Sequence, residues 1–231
     1  MYKYVILVFL PFLISCKTEQ KGPSVSIGKV NNGELKNGVK FSYHGENYNY
    51  FSITSYLLLR RCYVHEKVRI INLNTYRNLN KRFPKQKWVI MECSKPQGGK
   101  MQPHRTHQNG TSIDFMTPLK SIKSNKQYFW KSHLGVWHYL LTFDKDGYLN
   151  KRKKVQIDFD MIAHHILTLN KEAKKQGVKI KKVIFKINLK DNLFKSKIGK
   201  KLKKSGIYFV KYLTPMVDNV HDDHYHIDFE L

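Results

Sequence analysis

Residues 221–231 read HDDHYHIDFEL, and their alternating polar and apolar side chains predict a β-strand. Side chains alternate between the two faces of a β-strand. One face of such a strand is apolar and predicts contact with a core: Tyr225, Ile227 and Phe229. The other face carries imidazoles and carboxylates: Asp222, His224, His226 and Asp228. Burying that polar face is costly unless it binds or catalyses something, so the strand predicts a functional site.

A second segment with similar chemistry lies earlier in the chain. Residues 104–115 read HRTHQNGTSIDF. The Asn-Gly pair at 109–110 is a turn signal, and the alternating residues after it predict a strand. The turn allows His107 and Asp114 to converge on one point, although they lie seven residues apart.

Together the two segments have the composition of a metal site. Two imidazole nitrogens and one carboxylate oxygen, with a fourth position for water, form a catalytic zinc site. Other divalent transition ions also suit these ligands, but zinc is the commonest choice for hydrolysis. Such an ion lowers the pKa of water to about 7 and polarises a scissile carbonyl. His224 lies on the same strand face as His226 and is placed to act as a general base.

The motifs HxxHQxG-x3-D and HxxHxH resemble those of the penicillin-insensitive murein endopeptidases. These belong with the zinc peptidases that include lysostaphin-type endopeptidases and D-Ala-D-Ala metallopeptidases. The resemblance implies a small antiparallel sheet that carries the zinc ligands. It implies that His107, Asp114 and His226 bind zinc, and that His104 lies at or beside the metal.

The same resemblance implies a catalytic role for the other histidines of the C-terminal motif. His224 would be the catalytic histidine, and His221, from the loop that enters the strand, would position water or stabilise the transition state. The expected reaction is hydrolysis of peptide cross-links in peptidoglycan by a D,D-endopeptidase. A D,D-carboxypeptidase acting on stem peptides would use the same zinc chemistry and stays an alternative.

The resemblance also raises the question of a second metal pair, which members of the family sometimes carry in the central region. The candidate ligands in this chain are His133, His138, Asp158, Asp160, His164 and His165. None has a spacing that decides the matter. His164 and His165 are adjacent on a predicted helix, so only one could face a site, and we expect this pair to be structural.

The N-terminus predicts export. Residues 1–16 read MYKYVILVFLPFLISC, with a positive Lys3 ahead of an apolar run too short to span a bilayer comfortably. Ser15 before Cys16 resembles a bacterial lipobox, which predicts lipidation of Cys16 and a membrane anchor. In the Gram-negative sorting pattern, Lys17 favours the outer membrane and hence a periplasmic location.

The rest of the chain predicts a single α+β domain, with a small antiparallel sheet flanked by helices. We divide the chain into a signal peptide at 1–15, a flexible polar tether at 16–37 and a zinc peptidase domain at 38–231. Helices are predicted at 51–60, from Asp158 or Asp160 to Gly177, and at 193–204. Strands are predicted at 68–73, 88–93, 183–189 and 207–213, besides those of the two motifs.

The charge of the chain is strongly positive. Lys and Arg number 42 against 17 Asp and Glu, a formal net charge of +25. This field favours polyanions, and compositional drift explains it equally well. A non-enzymatic wall- or nucleic-acid-binding lipoprotein would use the basic runs at 151–154 and 200–204. These runs lack the interleaved aromatic residues of nucleic-acid modules, so we expect peptidoglycan and the membrane as partners, and no nucleic acid.

Two cysteines remain after Cys16. Cys62 and Cys93 could form a disulfide in an exported protein or stay as buried thiols, and the sequence leaves both open. Apolar residues make up 41% of the chain, which excludes wholesale disorder.

Overall fold

The structure is a computed structural model that describes residues 22–128, 135–150 and 152–231. Its strands are β1 Val25–Lys29, β2 Asn32–Lys36, β3 Val39–Lys40, β4 Tyr48–Tyr50, β5 Tyr63–Val64, β6 Trp88–Ile90, β7 Ser112–Met116, β8 Leu119–Ser121, β9 Tyr148–Leu149, β10 Arg152–Ile157, β11 Lys179–Ile184 and β12 His224–Glu230. Its α-helices are α1 Ile53–Leu57, α2 Glu66–Arg82, α3 Phe159–Lys175, α4 Lys190–Lys195, α5 Gly199–Lys203 and α6 Pro215–Asn219. Short 3-10 helices occupy Gly135–Leu140 and Ile187–Leu189. In these described ranges, no helix has the length and apolar character needed to cross a membrane.

A five-stranded sheet forms the centre of the fold, in the order β11-β12-β7-β6-β4. Together with the helices around it, this sheet confirms the predicted α+β class. Neighbouring strands are antiparallel except at one edge, where β4 pairs with β6 in parallel. The sequence predicted an antiparallel sheet and gave no sign of this parallel pair. Parallel strands need a long crossover, and here the chain between β4 and β6 provides one that contains α1 and α2.

The apolar face of β12 is buried in the core, as the alternation predicted. Tyr225 is fully buried, and its hydroxyl hydrogen-bonds to Nδ1 of His165 on α3 at 2.7 Å. The His165 ring stacks on Tyr76 and Trp88, with centroids 5.6 and 4.9 Å away. Burial lowers the pKa of His165 to about 3. His165 is therefore a neutral core residue between the helices and the sheet.

The other candidates for a second metal pair have separate structural partners. Asp158 caps α3 by accepting from the backbone N–H of Met161 at 3.2 Å, and Asp160 accepts from that of Ile198 at 2.7 Å. Carboxylates that accept from such backbone N–H groups stabilise the N-termini of helices. Within the described part of the chain, neither joins a group of three or more metal-ligand side chains.

Two histidines of the central region also have local partners. The His164 ring packs against Phe83 with centroids 4.8 Å apart. Nε2 of His138 is buried and donates to the carbonyl of Asp223 at 2.8 Å. Position 133 lies outside the described residues. The described candidates of the central region therefore do not converge on a second metal site.

Residues 68–73, predicted as a strand, lie inside α2, so that prediction was wrong. The N-cap of α2 is His65, whose Nδ1 accepts from the backbone N–H of Lys67 at 3.2 Å. The buried positions of α2 recur at helical spacing: Val68, Ile71, Asn72, Thr75, Tyr76 and Leu79. A six-residue apolar run cannot reveal this period, because buried helices and buried strands look alike over that length.

Further boundaries differ from the predictions: the strand expected at 88–93 spans only Trp88–Ile90, and the helix expected at 51–60 spans only Ile53–Leu57. The strand expected at 183–189 ends at Ile184, and the one expected at 207–213 is reduced to a single bridge to Val183. The helix expected at 193–204 is divided into α4 and α5, because the backbone at Ser196 is extended. By contrast, the helix capped by Asp158 follows the prediction.

The N-terminal hairpin formed by β1 and β2 lies within the segment predicted as a flexible tether. Leu35 of β2 is 2% exposed. Ser26 Oγ donates to the carbonyl of Asn109 at 2.6 Å, and the backbone N–H of Gln108 donates to the carbonyl of Val30 at 3.0 Å. Residues 25–36 therefore form a folded hairpin that packs on the 104–110 loop, although their composition is polar.

Gly110 ends that loop in a backbone conformation, φ +78°, that favours glycine. A Cβ there would lie 2.7 Å from Leu35 Cδ1 and 2.9 Å from the backbone nitrogen of His65. Gly99 provides a matched control, since its φ is +76° but a Cβ would meet nothing within 4 Å. We expect Gly99→Ala to lower the free energy of unfolding by about 1–2 kcal/mol. Gly110→Ala should lower the free energy of unfolding by at least about 1 kcal/mol more than Gly99→Ala, because the added Cβ also overpacks the site. Urea denaturation measures both losses, and equal losses would contradict this steric account.

Cys62 and Cys93 are both free and buried. Burial raises the pKa of the Cys62 thiol to about 11. The structure thus corresponds to the buried-thiol alternative.

Candidate metal centre

The polar faces of β7 and β12 meet in the centre of the sheet. Their antiparallel register places Asp114 directly opposite His226. His226 Nδ1 lies 2.7 Å from Asp114 Oδ1, and both side chains are buried. Pairing of the two motif strands thus joins segments that are far apart in the sequence.

The loop before β7 brings two further histidines to the same carboxylate. Ser94 Oγ donates to the carbonyl of His107 and accepts from the backbone N–H of Gly110 at 2.9 Å. Arg61 Nη2 donates to the carbonyl of Gln102 at 2.6 Å. These contacts hold both ends of the loop that carries His104 and His107.

The result is a cluster of His104, His107 and Asp114, whose donor atoms all lie within 4.8 Å of one another. Asp114 Oδ2 is 3.2 Å from His107 Nε2 and 3.6 Å from His104 Nδ1. Asp114 Oδ2 and both ring nitrogens of His107 are buried, yet they have no hydrogen-bond partner among the residues described. Leaving such atoms unsatisfied costs about 1–3 kcal/mol each, and a bound cation would satisfy Asp114 Oδ2 and one of the two His107 nitrogens.

The electrostatics of this cluster also fit a metal ion. Burial lowers the pKa of His104 to about 3, although the Asp114 charge opposes the shift. Burial alone would raise the pKa of Asp114, but His107 and His226 hold it well below its usual range. Metal ligands must be deprotonated, and these two groups are ready to bind without losing a proton at neutral pH. The donor set can therefore hold a metal ion.

An imidazole–carboxylate pair lies at the start of β12. The Nδ1–H of His224 donates to Asp223 Oδ1 at 2.5 Å. The carbonyl of Asp223 accepts from the Thr117 backbone N–H at 2.9 Å, which anchors residue 223. Burial alone would lower the pKa of His224, but the Asp223 carboxylate raises it. This arrangement leaves Nε2 of His224 as the proton-accepting nitrogen.

His221 lies beside this pair, in the loop that leads into β12. Its ring centroid is 4.8 Å from that of His224. Its Nδ1–H donates to the carbonyl of Val217 at 2.6 Å. Burial and the neighbouring His224 lower the pKa of His221 to about 4. His221 is therefore neutral at pH 7, with Nε2 as an acceptor.

A comparison with protein families identifies the family of the chain. The family model described as penicillin-insensitive murein endopeptidase matches residues 26–230. The chain belongs to this family. The match confirms the resemblance seen in the two motifs, and it makes the chain a murein endopeptidase whose substrate is peptidoglycan. No curated protein matches the chain.

In this murein endopeptidase, the structure brings together six predicted site residues, in two adjoining groups. The first holds His104, His107, Asp114 and His226, and the second His221 and His224. His104, which the resemblance left at or beside the metal, is one of the three clustered donors. His226 contacts the cluster through Asp114. Cys16 lies outside the described residues.

The prediction for Asp222 was wrong. It does not share the polar face of β12 but lies 3.4 Å from Lys186 Nζ and accepts from the backbone N–H of Phe143 at 3.4 Å. The reason is that β12 begins at His224, so the alternation does not extend back to residue 222.

Two residues of the endopeptidase site were not predicted from the sequence. Asp223 lies in the turn before β12, where alternation says nothing about side-chain direction. Tyr139, from the 3-10 helix Gly135–Leu140, packs against His224 with the two rings nearly perpendicular and their centroids 5.8 Å apart. The Tyr139 hydroxyl is buried and has no hydrogen-bond partner in the described ranges. No local pattern marks Tyr139, because only tertiary packing brings it to the site.

Proposed function

We propose that the chain is a zinc-dependent D,D-endopeptidase that hydrolyses peptide cross-links between D-Ala and a diamino acid in peptidoglycan. The observation that supports this reaction is that Asp114 Oδ2 and both His107 ring nitrogens are buried without a hydrogen-bond partner in the described ranges, beside the His224–Asp223 pair. Hydrolysis of an amide needs an electrophilic centre and a base next to each other. The donor cluster would hold the ion that provides the electrophilic centre, and the His224–Asp223 pair provides the base.

The residues that would hold zinc are His107, Asp114 and His226, with His104 as a further donor at or beside it. Their imidazole and carboxylate chemistry is that of catalytic zinc sites. When bound, zinc lowers the pKa of water to about 7 and polarises the scissile carbonyl.

His224 acts as the general base in this proposal. Asp223 holds the proton on Nδ1 of His224, so the lone pair on Nε2 accepts a proton from the attacking water. The Asp223 carboxylate, which raises the pKa of His224, stabilises the protonated ring. The same Nε2 then donates the proton to the leaving amine, which restores the neutral ring.

The resemblance gave His221 two alternative roles, positioning water or stabilising the transition state. We assign the first role to His221 and the second to Tyr139. Because Nδ1 of His221 donates to Val217, neutral His221 offers only an acceptor, and it positions the water. An oxyanion needs a donor instead. The buried hydroxyl of Tyr139 supplies that donor beside His224.

The location of the enzyme is part of the proposal. The apolar run before Cys16 and the lipobox-like Ser15-Cys16 support export and a lipid anchor in the periplasm, with Lys17 favouring the outer membrane. Anchoring would keep the enzyme next to the cell wall that it cleaves.

The test uses purified protein and a cross-linked muropeptide dimer. We expect conversion of dimers to monomers, a loss of about 100-fold or more after chelation, and recovery when zinc is added back. Chromatography and mass spectrometry identify the products. A chelated protein with undiminished turnover would contradict the zinc mechanism. Release of free D-Ala from a pentapeptide, without cleavage of the dimer, would favour the D,D-carboxypeptidase instead.

A further inference from the structure

Asp228 is a buried carboxylate on the strand face that carries His226, two residues further along β12. It is fully buried, and its Oδ1 lies 2.7 Å from Nε2 of His226. Ser112 Oγ donates to the same oxygen at 2.5 Å. A buried charge of this kind needs partners, and here one partner is the histidine next to the metal cluster.

The sheet itself holds this carboxylate. In the antiparallel register, Asp228 lies opposite Ser112 on β7 and opposite Lys182 on β11. Lys182 Nζ is 3.1 Å from Asp228 Oδ2. The position of Asp228 is therefore set from both neighbouring strands, and no flexible loop is involved.

This arrangement decides which nitrogen of His226 keeps a proton. Both ring nitrogens face carboxylates, Nδ1 towards Asp114 and Nε2 towards Asp228. A carboxylate only accepts, so each contact calls for an N–H, whereas a metal ligand must offer a lone pair. Asp114 belongs to the donor cluster, while Asp228 lies on the opposite side of the ring. The nitrogen that faces the donor cluster is thus Nδ1.

We propose that Asp228 is a positioning residue that keeps the proton of His226 on Nε2 and so presents Nδ1 to the metal cluster. This inference rests on the proposed zinc function. Ligating histidines commonly donate their second N–H to a carboxylate, which orients the ring and raises its basicity. Ser112 and Lys182 hold Asp228 in the orientation that this role requires.

The experiment measures zinc affinity of the purified protein by competition with a chromophoric chelator. We expect Asp228→Ala to weaken zinc binding by about 10- to 100-fold. Asp228→Asn keeps the size of the side chain and an acceptor oxygen, so it should fold and lose affinity to a smaller extent. Glu172→Ala is the matched control: Glu172 is also buried and paired with a lysine, Lys175 at 2.6 Å, but on α3. The control should bind zinc like the wild type.

A second readout separates positioning from a purely structural role. Nitrogen-15 NMR of the zinc-loaded wild type should show His226 protonated at Nε2, and Asp228→Ala should lose this single tautomer. Folded Asp228 variants with wild-type zinc affinity and an unchanged His226 tautomer would overturn the inference and leave the zinc function standing. A wild-type protein that binds no zinc would overturn the proposed function as well.

Discussion

Replacing His107 by alanine should abolish zinc binding and turnover together. Partners that merely orient metal ligands are worth about 10- to 100-fold in metal affinity or activity, so loss of a ligand should exceed about 100-fold. His107 is 1% exposed, and neither of its ring nitrogens has a hydrogen-bond partner among the described residues. The fold should persist without the His107 ring, because Asp114 keeps its 2.7 Å contact with His226.

The measurement is the zinc content of the purified protein, followed by turnover of a muropeptide dimer. Wild type should hold about one equivalent of zinc, as a single catalytic site does, and His107→Ala close to none. His44→Ala serves as the control, because His44 is exposed and hydrogen-bonds only to Asn49 in the part of the chain described. Full zinc content in the His107 variant would exclude His107 as a ligand.

The second large effect concerns His224. If it acts as the general base, His224→Ala should lower kcat by about 100- to 10,000-fold. Zinc content should stay near the wild-type value, since His224 is outside the three-donor cluster. KM should change little, because the lost interaction is a proton transfer that occurs in the transition state.

The contrast between the two histidines makes the assignment testable. Steady-state kinetics and metal analysis on His107→Ala and His224→Ala should separate a ligand from a base. If His224→Ala loses its zinc as His107→Ala does, then His224 is a ligand and the base must be sought elsewhere. If it keeps both zinc and kcat, the His224–Asp223 pair has no catalytic role.

Strand alternation predicted one side of the site well. It placed His224, His226 and Asp228 on one face of β12 and Tyr225 against the core, and the structure has both. The rule works because neighbouring side chains of a strand point in opposite directions whatever the rest of the fold does. It failed at Asp222, which lies before the strand begins.

Helix and loop predictions were weaker, for reasons that are also physical. A short apolar run at 68–73 suggested a strand, but the buried face of α2 becomes visible only over the whole helix. The polar residues of the N-terminal hairpin suggested a tether, because the burial of Leu35 against the 104–110 loop is a tertiary contact.

The α+β class and the two motif strands could be predicted from local patterns, and the two motifs were enough to show the resemblance to the murein endopeptidase family. Which metal-ligand side chains meet depends on tertiary contacts. The pairing of β7 with β12 places Asp114 opposite His226, and the closed loop brings His104 and His107 to the same carboxylate. Asp223 and Tyr139 also reach the site only through packing. Convergence of distant side chains depends on strand register and loop closure, which no local sequence period encodes.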